Sequence, residues 1–239
     1  MSDFRLSFPA CVVAGKAMLS TEDLMLLRRY TFAEGVRTPD DVVTLMALNA
    51  CCPEKCPQWG DYFVEQMASF IVHHCYPLGS LDEINVDWIR QVLTDDGVIH
   101  GELEFLAVLH MHDIARHAPA SLRMLLLDQL RIAIAEGRGA YARMRSLRSG
   151  IGADDVSFVN RILRDRLGQN ASELSPAKLA LLESIDAHVP AEARHPDWSP
   201  FIDTLIPMRT RPARRIERPR RWLHVPDSLF LEEQEDLVA

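Results

Sequence analysis

Cys56-Pro57-Gln58-Trp59 and His195-Pro196-Asp197-Trp198 read as one helix entrance written twice. In each, proline fits the first helical position, where its missing N–H costs nothing and its φ is already set. In each, a tryptophan then falls in the first turn. Working outward from this pair, more matches appear in the same order. Leu48-Asn49-Ala50 corresponds to Ile185-Asp186-Ala187, and Thr38-Pro39 to Ser175-Pro176. Ser20-Thr21-Glu22-Asp23-Leu24 corresponds to Gly152-Ala153-Asp154-Asp155-Val156. The offset grows from 132 to 139 residues, so insertions are confined to loops. Helix caps alone explain Thr-Pro and Ser-Pro but not the two tryptophans. Self-similarity of this kind marks repeated supersecondary units.

Between these markers the hydrophobic spacing is helical. Ser20 with Asp23 forms a capping-box pattern ahead of Leu24, Leu27 and Tyr30. Thr38 is an N-cap and Pro39 a first helical residue, with Asp40 and Asp41 where the macrodipole favours acids. Trp59, Phe63, Met67 and Phe70 form one stripe. Further helices are expected over about 82–93, 100–117, from Pro119 onward, and over 153–167, 176–188 and 198–207. The expected fold is all-α, a bundle of about nine helices built from a duplicated helix–turn–helix module. Its expected parts are an N-terminal segment 1–19, a first module 20–136, a glycine- and arginine-bearing linker 137–150, a partial second module 151–208 and a tail 209–239.

A shorter echo lies inside the first module. Glu34-Gly35-Val36-x-x-x-Asp40 matches Asp96-Gly97-Val98-x-x-x-Glu102. This acid–Gly–apolar–x–x–x–acid turn resembles the signature of the tellurite-resistance TerB-like helical proteins. The run from Pro77 through Gly79 and Trp88 to Ile99 is similar to bacterial members with duplicated modules. The resemblance covers 20–135 and, more thinly, 150–208. It implies a compact helical bundle, a divalent-cation site of clustered acids and a link to stress response or membrane-associated assemblies. Carried over residue by residue, the cation ligands are Glu34, Asp40, Asp96 and Glu102. The last copy departs from the pattern, with Ala177 and Lys178 where Asp40 and Asp41 would stand.

Other constellations are thinner. His110, Asp113 and His117 share one helix face at i, i+3, i+7, a donor set that suits zinc or iron and a metal-dependent enzyme. Cys51, Cys52 and Cys56 lack a second cysteine pair, so free thiols are the expectation. No Ser-His-Asp signature, phosphate loop or dinucleotide fingerprint is present.

The chain's 239 residues carry a formal charge of −8, unevenly spread. Residues 209–221 hold seven arginines and one acid, and 227–239 hold five acids and no base. Arg211, Arg214, Arg215, Arg218, Arg220 and Arg221, with Trp222 beside them, form a candidate partner-binding strip. The strip can fold back on the acidic body as a solvated tail, meet a protein partner, or, since guanidinium forks match phosphate, bind nucleic acid or anionic lipid. Prolines 212, 219 and 226 exclude a continuous helix there. Five cysteines, an odd number, argue against a disulfide framework. No apolar run approaches the roughly 20 residues of a membrane span, and no signal-peptide order is seen at the N-terminus, so a cytoplasmic location is expected. The leading expectation is a non-enzymatic interaction or scaffold protein.

Overall fold

The computed structural model describes residues 7–147, 149–164 and 175–205. Three helix triplets fill most of this span. The first comprises α2 (Thr21–Leu26, running on through a π turn, Leu27–Thr31), α3 (Pro39–Cys51) and α4 (Pro57–Ser69, running on through Phe70–His74). α1 (Phe8–Ala14) precedes it. The second comprises α5 (Glu83–Leu93), α6 (Glu102–Ile114) and α7 (Ala120–Ala135). A short α8 (Gly139–Met144) leads to the third, α9 (Ala153–Leu163), α10 (Pro176–His188) and α11 (Trp198–Leu205). The all-α class is as expected, with eleven α-helices among the described residues instead of nine. The two extra ones, α1 and α8, have seven and six residues, too short for a hydrophobic period to show.

Each triplet opens on the same local chemistry. Ser20 caps α2, and its backbone N–H donates in return to the Asp23 carboxylate. Asp82 caps α5 with Asn85, and the Gly152 backbone N–H donates to Asp155 at the head of α9. These reciprocating side chains are all buried, although two are carboxylates. The residue before each cap lies beside the entrance of that triplet's third helix. Cys56 N–H donates to Leu19 O at 2.8 Å, Leu81 N–H to His117 O at 2.9 Å, and His195 N–H to Ile151 O at 2.8 Å. In the first triplet this contact is a two-residue parallel ladder, β1 (Met18–Leu19) on β2 (Glu54–Lys55). Leu19, Leu81 and Ile151 are correspondingly buried.

The triplets stack in one register. α4, the third helix of the first, packs most extensively on α6, the second helix of the next; α7 packs likewise on α10. α1 packs on α3 and so covers the first triplet's second helix. One continuous apolar core runs through all three. The described part of the expected linker 137–150 is packed against the bundle. α8 packs on α7 and α6, and Arg145 has its side chain 2% exposed, 2.7 Å from the Asp155 carboxylate. Its guanidinium and the Tyr141 hydroxyl both donate to that carboxylate, which fastens the second triplet to the third.

Candidate functional site

The two tryptophans that open the sequence argument are both fully buried. Trp59 Nε1–H donates to Asn49 Oδ1 at 3.0 Å, and Trp198 Nε1–H to Asp186 Oδ1, also at 3.0 Å. Asn49 and Asp186 are the matched residues of the preceding helix. A buried indole N–H needs such a partner, so these residues serve packing and do not form an open ligand cage.

The acid–glycine–valine turns are alike in detail. Gly35 and Gly97 adopt φ of 79° and 78°, a left-handed conformation that glycine takes without a Cβ clash. Val36 and Val98 turn inward, each 1% exposed. A glutamine from the triplet's own third helix holds each turn. Gln66 Oε1 accepts from Val36 N–H at 3.0 Å. Gln129 accepts from Ile99 N–H and donates to Gly97 O, both at 2.8 Å.

Because the two turns are anchored on different helices, α4 and α7, their acids remain separate. Glu34 is exposed and pairs with Arg37 at 2.7 Å. Asp40 is exposed in the first turn of α3, where Asp41, not Asp40, reciprocates the cap. Asp96 is exposed at φ 49°, and Glu102 is 3.5 Å from Arg143. Glu34, Asp40, Asp96 and Glu102 therefore share no common metal-holding group among the described residues. Among the described residues no group of three or more His, Cys, Asp or Glu side chains is placed to hold a metal ion.

His110 and Asp113 lie on α6, which ends at Ile114, before His117. Asp113 is engaged by Arg161 of α9 and lies 3.5 Å from His112. Burial would raise its pKa, but the neighbouring His112 ring and the hydrogen bonds from Arg161 outweigh this and hold it at about 2. Asp113 is thus an ion-pair partner between triplets, while His110 is half-buried and His117 exposed. The buried histidine is His112, whose Nδ1 has no hydrogen-bond partner among the described residues.

Cys51, Cys52, Cys56 and Cys75 are free thiols. Burial pushes the thiols of Cys52 and Cys75 up, which disfavours the thiolate a metal or redox site needs. Arg211, Arg214, Arg215, Arg218, Arg220, Arg221 and Trp222 lie outside the described residues. No helix among those described is long and apolar enough to cross a membrane.

Two surface features remain. One is a corner where Tyr76, Leu78 and Ile84 are 85%, 68% and 75% exposed. Asn85 Nδ2–H donates to Tyr76 O and ties that loop to α5. The other is a groove of about 420 Å³ lined by residues of α5, α7, α10 and the Gly97 turn. Compared with known proteins, the chain matches no protein family, no curated protein and no solved structure.

Proposed function

We propose that the chain is a non-enzymatic interaction or scaffold protein of the cytoplasm, built from a multiplied helix module, that works through its outer surface. The observation that carries this reading is the stacking order, in which the third helix of one triplet packs on the second helix of the next. Stacked helical units generate extended surfaces suited to protein partners. The Tyr76, Leu78 and Ile84 corner offers apolar contact area on such a surface, of the kind that marks interaction sites when it is contiguous. The matched caps, turns and tryptophans support descent of the triplets from one module. The TerB-like resemblance belongs to the same proposal and rests on the two acid–glycine–valine turns. Free thiols support a reducing compartment.

The test is capture of partners from native lysate by the full chain and by a Tyr76→Ser, Leu78→Ser, Ile84→Ser variant. A partner held in stoichiometric amount by the wild type and lost by the variant, with the variant's circular dichroism unchanged, is the expected result. Identical profiles for both proteins would remove this corner from the proposal.

A further inference from the structure

The groove beside α5 has a counterpart in the first triplet, and there it is filled. Phe32 and Tyr62 are buried with their rings 6.3 Å apart, and the Arg28 guanidinium lies 5.5 Å from the Tyr62 ring centre. The structural matches place the second triplet 62 or 63 residues further on: cap Ser20 with Asp82, Gly35 with Gly97, Gln66 with Gln129. By that register Arg28 becomes Arg90, Phe32 becomes Thr94 and Tyr62 becomes Leu125. The cation is kept and both rings are gone.

What the missing rings leave is an open groove. Met124, Leu125 and Leu181 give it apolar walls, with Arg90, Thr94 and Asp128 beside them. Thr94 donates its hydroxyl to Arg90 O at 2.7 Å, so its polar atom is already satisfied. Asp128 is paired with Arg131. Arg90 has no side-chain hydrogen bond or ion pair among the described residues. The mouth is open as well. A Cβ built on Gly97 meets nothing within 4 Å, whereas one on Gly35 meets Gln66 at 2.9 Å. Next to the groove-lining Thr94 and Gly97, Asp95 and Asp96 are exposed and have no ion pair among the described residues.

We propose that this groove binds an aromatic side chain carried on a basic segment, and that the occupant is Trp222 of this chain, flanked by Arg220 and Arg221. The aromatic ring restores what the first triplet supplies for itself, with Arg90 over its face as Arg28 lies over Tyr62; a cation is attracted to the negative face of an indole more than to other rings. The two arginines meet Asp95 and Asp96 at the rim. From Leu205 to Trp222 the chain can span up to about 56 Å at ~3.3 Å per residue. A tethered segment of this length acts at an effective concentration on the millimolar scale, so a weak site suffices. This docking does not depend on the Tyr76 corner.

The test labels the full chain with 5-fluorotryptophan, which gives resonances for Trp59, Trp88, Trp198 and Trp222, the last identified by its loss in Trp222→Phe. In the wild type the Trp222 signal should show a small solvent isotope shift, as a sheltered indole does. Thr94→Phe places in the groove the ring the first triplet has, and should move Trp222 to the shift of an exposed indole. Arg90→Ala should move it part of the way. The other three signals should stay in place, which shows the variants are folded. A Trp222 exposed in the wild type overturns the assignment, whether or not added N-acetyltryptophanamide enters the groove. So does a sheltered Trp222 that ignores Thr94→Phe, or shelter that appears only as protein concentration rises, which would place a second copy's tryptophan there.

Discussion

The first and third triplets bury the same carboxylate at the same cap and balance it differently. Asp23 is met by Lys16 at 2.5 Å, with the lysine side chain 45% exposed. Asp155 is met by Arg145, itself 2% exposed, and by the Tyr141 hydroxyl. The middle triplet avoids the charge with Asn85, whose amide donates to Tyr76 O. The buried cap position therefore has three solutions here, two of them charged, and the degree of burial decides how much each partner matters. Water still screens Lys16, while Asp155 is compensated inside the fold by Arg145, the Tyr141 hydroxyl and the Gly152 N–H.

Removing the arginine should break this contrast most visibly. Arg145→Ala leaves a buried carboxylate uncompensated and should lower unfolding free energy by about 3–5 kcal/mol. Urea denaturation measures it, and a loss under 1 kcal/mol would show that the site is wetter than its geometry implies.

The tryptophan pair sharpens the comparison. Trp198→Phe removes a bond to the carboxylate of Asp186 and should cost about 1.5–3 kcal/mol, while Trp59→Phe removes one to the neutral amide of Asn49 and should cost about 0.5–1.5 kcal/mol. Equal losses would mean the Asp186 charge is neutralised by its other partner, Arg194, at 2.9 Å.

Asp113 adds a pH signature to the junction of the second and third triplets. Its pKa in the fold, about 2, lies below the ordinary 3.8. It therefore stabilises the fold above about pH 4, and that contribution is lost as pH falls toward 2. Asp113→Asn should remove about 1–2 kcal/mol at neutral pH, a figure kept low because Arg161 is half exposed. Below about pH 2 the variant and wild type should unfold alike. The smallest expected effect is Lys16→Ala, below about 1 kcal/mol, since an exposed lysine contributes little even to a buried acid.

Much of this architecture was legible in the sequence because caps and turns are local. Ser20, Thr38, Pro57, Ser175 and the two tryptophans could each be placed from their neighbours alone. The helices of the middle triplet were expected, but its kinship with the other two showed only at its Asp96–Glu102 turn. Its indole position holds Leu122 and its amide position Met111, so the polar pair that marks the outer triplets is absent there. An apolar pair fits the more enclosed centre of the stack, where Leu122 and Met111 are fully buried. The acids misled because the forces that favour them at a helix start are the same with or without a metal. Arg145 was unreadable for the opposite reason. A glycine-rich stretch with arginines looks solvated, and only packing of α8 on α7 and α6 puts one guanidinium inside. The groove was invisible because it consists of what Thr94 and Leu125 lack relative to Phe32 and Tyr62.

The central claim is that the outer triplets repeat one construction, and indole hydrogen exchange tests it most directly. Trp59 and Trp198 each donate Nε1–H to the matched residue of the preceding helix, whereas Trp88 is only partly buried. Both should retain their indole protons far longer than Trp88 in deuterated buffer, and Asn49→Ala and Asp186→Ala should each hasten exchange only at the tryptophan they face. A Trp198 proton that exchanges as fast as that of Trp88, with Trp59 protected, would contradict the shared construction.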